Sequence, residues 1–521
     1  MDKQTFNLIE KPFIPCVIAN GERVEFGLLE TLARAHEIRE LRDESPLVTI
    51  ALHRLLLAIL HRNFGPDSYD SWKTLWDAGK FDTRKLSDYF EAWYTRFDLF
   101  DDQHPFYQDA SLQADKVDAA ARLVRHVAQT FTDSLFNHTI QNSFPLLSFA
   151  EVARHLIVEQ SLAMSGGAGY VSSHQSYSML FLATGNSLFE TLMLNLVWYD
   201  PTHPIPSRKD LPTWEQDSVA TNNRAPRGYL ESLTWQPRRI RLIPEENGVR
   251  EIVYIKGPRC EHVALRPDPM LAYRASKQSG VYPYSFSPER ALWRDSSALF
   301  LATTTDSSPE FFRPDILTHL MNLSMPGREY LDSNRELDLK AFGILGKNAA
   351  IEFWRAESLP LPLAFLSSSE LVGHLQNALS YAEAAGRFLF GCSKSFATQL
   401  LAPDGRKPDA TRVTTIARSL APDRPYWSRL ELPFRELLHE LADQPDDREL
   451  LVAKWGWQTV RMMAIQAFEE TTQQLDHSAR TLRAATVAMA QLRGQLHKQF
   501  SNLKEFIDDN EKLHITTAVA D

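Results

Sequence analysis

The strongest pattern in the chain is an almost unbroken apolar run from Leu47 to Leu60, opened by Ser45-Pro46. Serine ahead of proline supplies an N-cap and a first-turn proline, so the run predicts a helix buried around most of its circumference. Ahead of it, residues 7–14 and 23–26 on either side of Asn20-Gly21 predict a short strand pair. A second helix is marked by Ser148-Phe149-Ala150-Glu151, which has capping-box spacing, and runs through Leu156, Ile157 and Leu162 to about Met164. A third opens with Ser187 and Glu190 and carries Leu188, Leu192, Leu196 and Val197. Between these two helices lie Ser165-Gly166-Gly167-Ala168-Gly169 and a polar stretch from Ser172 to Ser178.

From Arg238 to Lys256 the period shortens to that of strands: Ile240 and Leu242, then Val249, Ile252, Val253 and Ile255, flank a turn at Glu245-Glu246-Asn247-Gly248. The region that follows is rich in proline and aromatics, among them Pro267, Pro269, Tyr273, Tyr282, Tyr284 and Trp293, and reads as mixed structure with long loops. After about Ser367 the texture is helical. Segments 369–401, 426–441, 449–474 and 477–506 have lengths and apolar spacings suited to antiparallel packing, with Pro403-Asp404-Gly405 as a break. The expected fold class is therefore α+β: a large mixed N-terminal domain over 1–366, followed by a C-terminal four-helix bundle over 367–521.

Composition narrows this picture. A chain of 521 residues, 44% hydrophobic and 11% aromatic, can fill two to four cores. Its 56 basic against 66 acidic residues leave a net charge of −10, which argues against a protein that coats nucleic acid unaided. Contact over a small patch, with partners supplying most of the attraction, remains compatible with that charge. Cys16, Cys260 and Cys392 are too few and too scattered for a disulfide framework or a four-cysteine zinc site, which suits a reducing cytoplasm. The opening Met1-Asp2-Lys3-Gln4 has no hydrophobic signal core, and His53 and Arg54 interrupt the greasiest stretch, so no membrane association is expected.

Familiar catalytic chemistry is missing. Gly343-Ile344-Leu345-Gly346-Lys347-Asn348 is too short for a phosphate-cradling loop and lacks the Ser or Thr that holds magnesium. There is no His-Glu-x-x-His helix and no nucleophile elbow. His53 and His61, eight residues apart, are separated by roughly 12 Å along a helix, too far for one ion, and read as structural. Asp101-Asp102 and Asp508-Asp509 read as solvated acids in turn-like contexts, and Arg480, Arg483, Arg493, Lys498 and Lys504 as a solvated helix face. No catalytic residue, metal or cofactor is expected. Gly166, Gly167 and Gly169 are a helix C-cap and hinge on one reading. On the other they let backbone approach a ligand closely. Spacing leaves both open.

Several stretches, taken in order, resemble the CasA family, the large subunit of the type I-E CRISPR Cascade surveillance complex. They are Asn7-Leu8-Ile9-Glu10-Lys11-Pro12-Phe13-Ile14-Pro15, Ser45-Pro46-Leu47-Val48-Thr49 with Leu52-His53-Arg54-Leu55-Leu56-Leu57, and Pro105-Phe106-Tyr107-Gln108. Further matches are Ser134-Leu135-Phe136-Asn137-His138, the glycine loop, Ala272-Tyr273-Arg274 and Ala291-Leu292-Trp293-Arg294-Asp295. The series spans nearly the whole chain.

The resemblance implies a non-enzymatic, cytoplasmic prokaryotic protein held in a complex with guide RNA and other Cascade subunits. It would recognise the protospacer-adjacent motif in target double-stranded DNA, largely from the minor groove, help open the duplex, and recruit a helicase-nuclease. Gly166, Gly167, Ala168 and Gly169 resemble the family's minor-groove loop, and Lys277 its lysine finger, with Arg274 as a substitute. Asn348, preceded by Lys347, stands where the family has a glutamine wedge, a departure that leaves the wedge shared between the two. Phe136, Asn137 and His138 resemble a loop that docks on the RNA handle and backbone subunits. Some members carry a cysteine-ligated zinc whose ligands this sequence lacks. An adaptor that holds guide-RNA subunits and a nuclease without reading DNA is the alternative.

Overall fold

A computed structural model describes residues 4–114, 116–124, 146–164, 178–198, 210–261, 266, 268–285, 287, 289–301, 311–325, 327–328, 330–347, 350–402 and 405–518, without the side chains of 345–347, 350–353 and 513–518. The chain divides into two compact units. One comprises Met1–Leu292 and Ala302–Leu363, the other Trp293–Leu301 and Ala364–Asp521.

The first unit opens with a strand at Ile14–Ile18, paired with Arg23–Phe26 on one edge and Ile38–Leu41 on the other. This corrects the expected strand over 7–14. Asn7 Oδ1 accepts a hydrogen bond from the Ile9 amide (3.0 Å) and the Asn7 carbonyl accepts one from the Lys11 amide (2.9 Å), so this segment turns rather than extends.

The Pro46–Phe64 helix forms as its pattern predicts, with proline in the first turn, although Ser45 makes no side-chain cap. Among the described residues it is the one helix long and apolar enough to cross a membrane, and 83% of its apolar window is buried within the protein. Its two polar interruptions are buried too. His53 Nδ1 lies 2.8 Å from the Thr49 carbonyl, and Arg54 pairs with Asp268. The Phe149–Leu162 helix packs against it and carries both halves of the Ser148–Glu151 capping box. Leu188–Asn195 is capped by Ser187, but Glu190 accepts from the Asn186 amide (2.7 Å) instead of closing the box.

Among the described residues, four small sheets organise the unit. The hairpin Arg238–Glu245 with Gly248–Lys256 forms as expected. A second sheet has the order Ala350–Pro362, Glu336–Lys347, Met179–Thr184, all antiparallel. A third has the order Phe311–Phe312, Tyr273–Ser276, Gly280–Pro283.

The second unit is helical, with Ser369–Leu401, Ala410–Leu420, Asp423–Asp443, Arg448–Lys454, Arg461–Gln473 and Ala479–Ala518 as its main segments. Trp455–Val460 continues the chain between two of them as a π-helical turn. In the last helix Ala484, Ala488, Leu492, Leu496 and Phe500 recur every fourth residue and are fully buried, facing the Ser369–Leu401 helix, where Tyr381 meets Phe500 edge-on at 5.7 Å. Asp508 and Asp509 lie inside this helix, not in a turn, and pair with Lys504 (3.6 Å) and Lys512 (3.1 Å). Trp293 reaches these helices from the middle of the sequence. Its ring centroid lies 4.6 Å from Phe434 and 5.9 Å from Trp427, while Arg294 binds both Glu383 oxygens (2.8 and 3.0 Å) and covers the Trp427 ring at 3.6 Å.

Candidate nucleic-acid interface

Lys277 and Arg274 belong to one β-hairpin of the first unit. Tyr273–Ser276 and Gly280–Pro283 pair in register, and Lys277 sits in the turn between them, exposed. The turn is fixed locally: Ser276 Oγ accepts from the Ser279 amide (2.9 Å), and Gly280 takes a left-handed φ of +65° that suits glycine. Arg274 is exposed on the strand, its guanidinium 4.7 Å from the centroid of the Tyr284 ring.

Lys347 ends the Glu336–Lys347 strand and pairs with Ala350 across the hairpin, so its backbone is placed at the tip. Asn348, Gly166, Gly167, Ala168, Gly169, Phe136, Asn137 and His138 lie outside the described residues, but their flanks are defined.

Backbone pairing brings two of these flanks and the Lys277 hairpin to one place. Met179, the first residue of its strand, pairs with Gly343, and the two strands run antiparallel as far as Thr184 and Asp338. Four residues past Gly343, roughly 13 Å at strand rise, comes Lys347. On the other edge of Met179–Thr184, Leu180 bridges Leu271 antiparallel, the Phe181 amide donates to Met270 (2.8 Å) and the Met179 amide to Tyr284 (2.9 Å). The chain from Met270 therefore runs toward the Met179 end before it enters the Lys277 hairpin. The start of the Met179 strand, the hairpin carrying Lys277 and the Lys347–Ala350 pair lie toward the same end of this ladder.

The root ahead of the glycines is equally well fixed. The carbonyl of Met164 accepts from Arg238 Nη2 (2.5 Å), a guanidinium only 1% exposed. Arg238 Nε donates to the Tyr254 hydroxyl (2.8 Å), which donates to Glu159 (2.6 Å). A buried charge held by a carboxylate, a phenol and carbonyls sets this carbonyl's position stiffly. Leu147, nine residues after His138, exchanges both backbone hydrogen bonds with Val249 in another sheet (3.2 and 2.8 Å).

The Pro105–Gln108 motif serves packing. Gln108 donates to the Leu99 carbonyl (2.8 Å) and accepts from the Leu242 amide (2.8 Å), tying the loop to the Arg238–Glu245 strand. It borders a cleft of about 280 Å³ whose arginines are internally paired, Arg224 with Glu231 (2.5 Å) and Arg239 with Asp109 (2.5 Å). Among the described residues no cluster of three or more His, Cys, Asp or Glu could hold a metal. Burial pushes the Cys16 and Cys260 thiols up to about 12, which leaves them inert at neutral pH.

Sequence reading names Tyr282 only among the aromatics of this region, whereas the pairing places it, exposed, directly opposite Arg274. The signal was available in the alternation on either side of the Ser279-Gly280 turn, but only the pairing shows which two side chains are neighbours.

The arrangement is that of a large mixed α+β unit in which the Lys277 hairpin and two strand ends lie toward one end of a sheet, joined in sequence to a helical unit. Residues 7–481 match the family model described as CRISPR-associated protein Cse1. CRISPR-associated protein CasA/Cse1 of Thermus thermophilus is 31% identical over 506 residues, covering 92% of this chain and 95% of that one. The solved structure of Thermus thermophilus CasA (Cse1) superposes with a TM-score of 0.79 at 28% identity, covering 95% of this chain and 99% of that one. A chain of a CRISPR RNA-guided surveillance complex shares the fold, with a TM-score of 0.74 at 22% identity over 94% of this chain and 99% of that one. This chain belongs to the Cse1 (CasA) family.

Proposed function

We propose that this protein is the large, non-enzymatic subunit of a type I-E RNA-guided complex, and that it reads the protospacer-adjacent motif in duplex DNA before guide RNA pairs with the target. The observation that carries this reading is the convergence at one sheet end of the Lys277 hairpin, the Lys347–Ala350 pair and the start of the Met179–Thr184 strand. Glycine backbone and a long lysine suit the minor groove, where the purine N3 and pyrimidine O2 acceptors are reached without a bulky reader. The tip at Lys347 and Asn348 would act beside the motif as a wedge, parting the first base pair, whose cost of a few kcal/mol is offset as the guide pairs. Phe136, Asn137 and His138 would dock on the RNA handle and neighbouring subunits, in a cytoplasmic complex. Recruitment of a helicase-nuclease leaves strand cleavage to that partner. The first unit, close to residues 1–366, would hold recognition, and the four long helical segments after 367 would form a four-helix bundle.

The test is binding by the complex assembled with guide RNA and its other subunits, using guide-matched duplexes whose flanking base pairs are randomised. Lys277→Ala is expected to weaken binding and flatten the preference among flanks. An unchanged preference would favour a scaffold that does not read DNA.

A further inference from the structure

The small sheet of Phe311–Phe312, Tyr273–Ser276 and Gly280–Pro283 has two unlike faces. Residues directly opposed in an antiparallel pair share a face. Arg274 therefore stands between Tyr282 on one neighbouring strand and Phe311 on the other, while Tyr273, Pro283 and Phe312 turn the opposite way. Tyr273 is 1% exposed and belongs to the core, whereas Arg274 is exposed and Tyr282 is 39% exposed. Folding alone would be served by a polar residue at 282. Tyr284, 4.7 Å from the Arg274 guanidinium, stacks edge-on against Phe311 at 5.4 Å and supports the cation from below. Residues 273–284 include Arg274 and Lys277 and no carboxylate, in a chain whose net charge is −10.

We propose that this face is a platform for the sugar-phosphate backbone of duplex DNA, with the Arg274 guanidinium donating to a phosphate and the Tyr282 ring lying on an adjacent deoxyribose. The inference rests on the reading of Lys277 as a groove-entering group and deepens it. A single lysine at a hairpin tip has neither register nor orientation, and backbone contacts are what supply both. Arg274 suits the task because its planar fork matches a phosphate and its stacking on Tyr284 limits the rotamers it must lose on binding. Tyr282 and Arg274 follow and precede the turn on the same face, so the strand pair holds both at fixed distance from Lys277.

The test uses the full chain assembled with guide RNA and its partner subunits, and the same library of guide-matched duplexes with randomised flanks. Tyr282→Ala is expected to weaken every duplex by roughly fivefold to tenfold without changing their ranking, through lost apolar contact. Tyr282→Phe is expected to bind as the wild type does. Arg274→Gln is expected to lower the slope of log affinity against log salt by about 1. Wild-type binding by Tyr282→Ala, or a reordered library, overturns the proposal. Arg274 is exposed, so its variant keeps the test open if Tyr282→Ala unfolds in a thermal melt, and an unchanged salt slope then overturns it. Lys277→Ala in the same assay reports separately. If it reorders the library while Tyr282→Ala is silent, the platform alone is wrong; if it is silent while Tyr282→Ala weakens all duplexes evenly, the platform stands without the lysine reading.

Discussion

The Arg54 guanidinium lies 2.8 Å from the Asp268 carboxylate, with the two side chains 1% and 0% exposed. Arg54 also donates to the Ser232 carbonyl (3.3 Å), and Asp268 accepts from the Met270 amide (3.0 Å). The pair thus joins the buried Pro46–Phe64 helix to the segment that leads into the Lys277 hairpin. Removing one partner strands a charge in the core. Arg54→Met alone is expected to destabilise the protein by about 3–5 kcal/mol. Arg54→Met combined with Asp268→Leu is expected to recover much of that loss, and denaturant unfolding of both variants checks it.

Asn348 is expected to act after encounter with DNA. Asn348→Ala should leave initial binding of duplex within about twofold, because phosphate contacts dominate that step, but should slow opening of the first base pair. A fluorescent base analogue placed next to the motif measures it. Equal opening rates in variant and wild type would remove the wedge role from this residue.

Stability is expected to fall as pH drops from about 6.5 towards 4. Burial lowers the ring pKa of His53 and of His61 to about 4 and of His319 to about 3, from an ordinary 6.5. The unfolded chain therefore takes up protons that the folded chain refuses, and falling pH favours unfolding. Asp210 works the other way: burial raises its carboxyl to about 6, so the folded state gains that proton first. Three imidazoles outweigh one carboxyl. Melting temperatures across this range are expected to decline, and His319→Phe, which keeps a ring against Tyr69 and Trp72, should shallow the decline.

Gly386→Ala is expected to destabilise the second unit by about 1–3 kcal/mol despite the better helix propensity of alanine. An added Cβ would meet the Trp427 ring at 2.7 Å. Because Trp427 carries Arg294 and contacts Trp293, faster amide exchange at Ser296–Phe300 is expected to accompany the loss.

Elements with local signals were legible in the sequence. Ser148 and Glu151 close a capping box within four residues, and the Arg238–Lys256 hairpin declares itself through alternation on both sides of one turn. Asn7 misled because an apolar run reads as a strand until its own side chain is seen capping the Ile9 amide. Long-range pairings left no such mark. Nothing near Met179 announces that it will lie beside Gly343, or that the Trp293 ring will seek Phe434. For the candidate interface, Lys277 and Arg274 are expectations from family resemblance, while the face that Arg274 shares with Tyr282 depends on strand register, which single residues do not encode.

The hairpin that ends at Lys347 and resumes at Ala350 closes over only two positions, while its strands stay paired back to Glu336 and Pro362. Substitutions at 348 and 349 are therefore expected to leave the paired strands in place. On the proposed reading, the wedge is confined to the end of a long paired ladder, so substitutions there are expected to change what is tolerated beside a target while the strands stay paired.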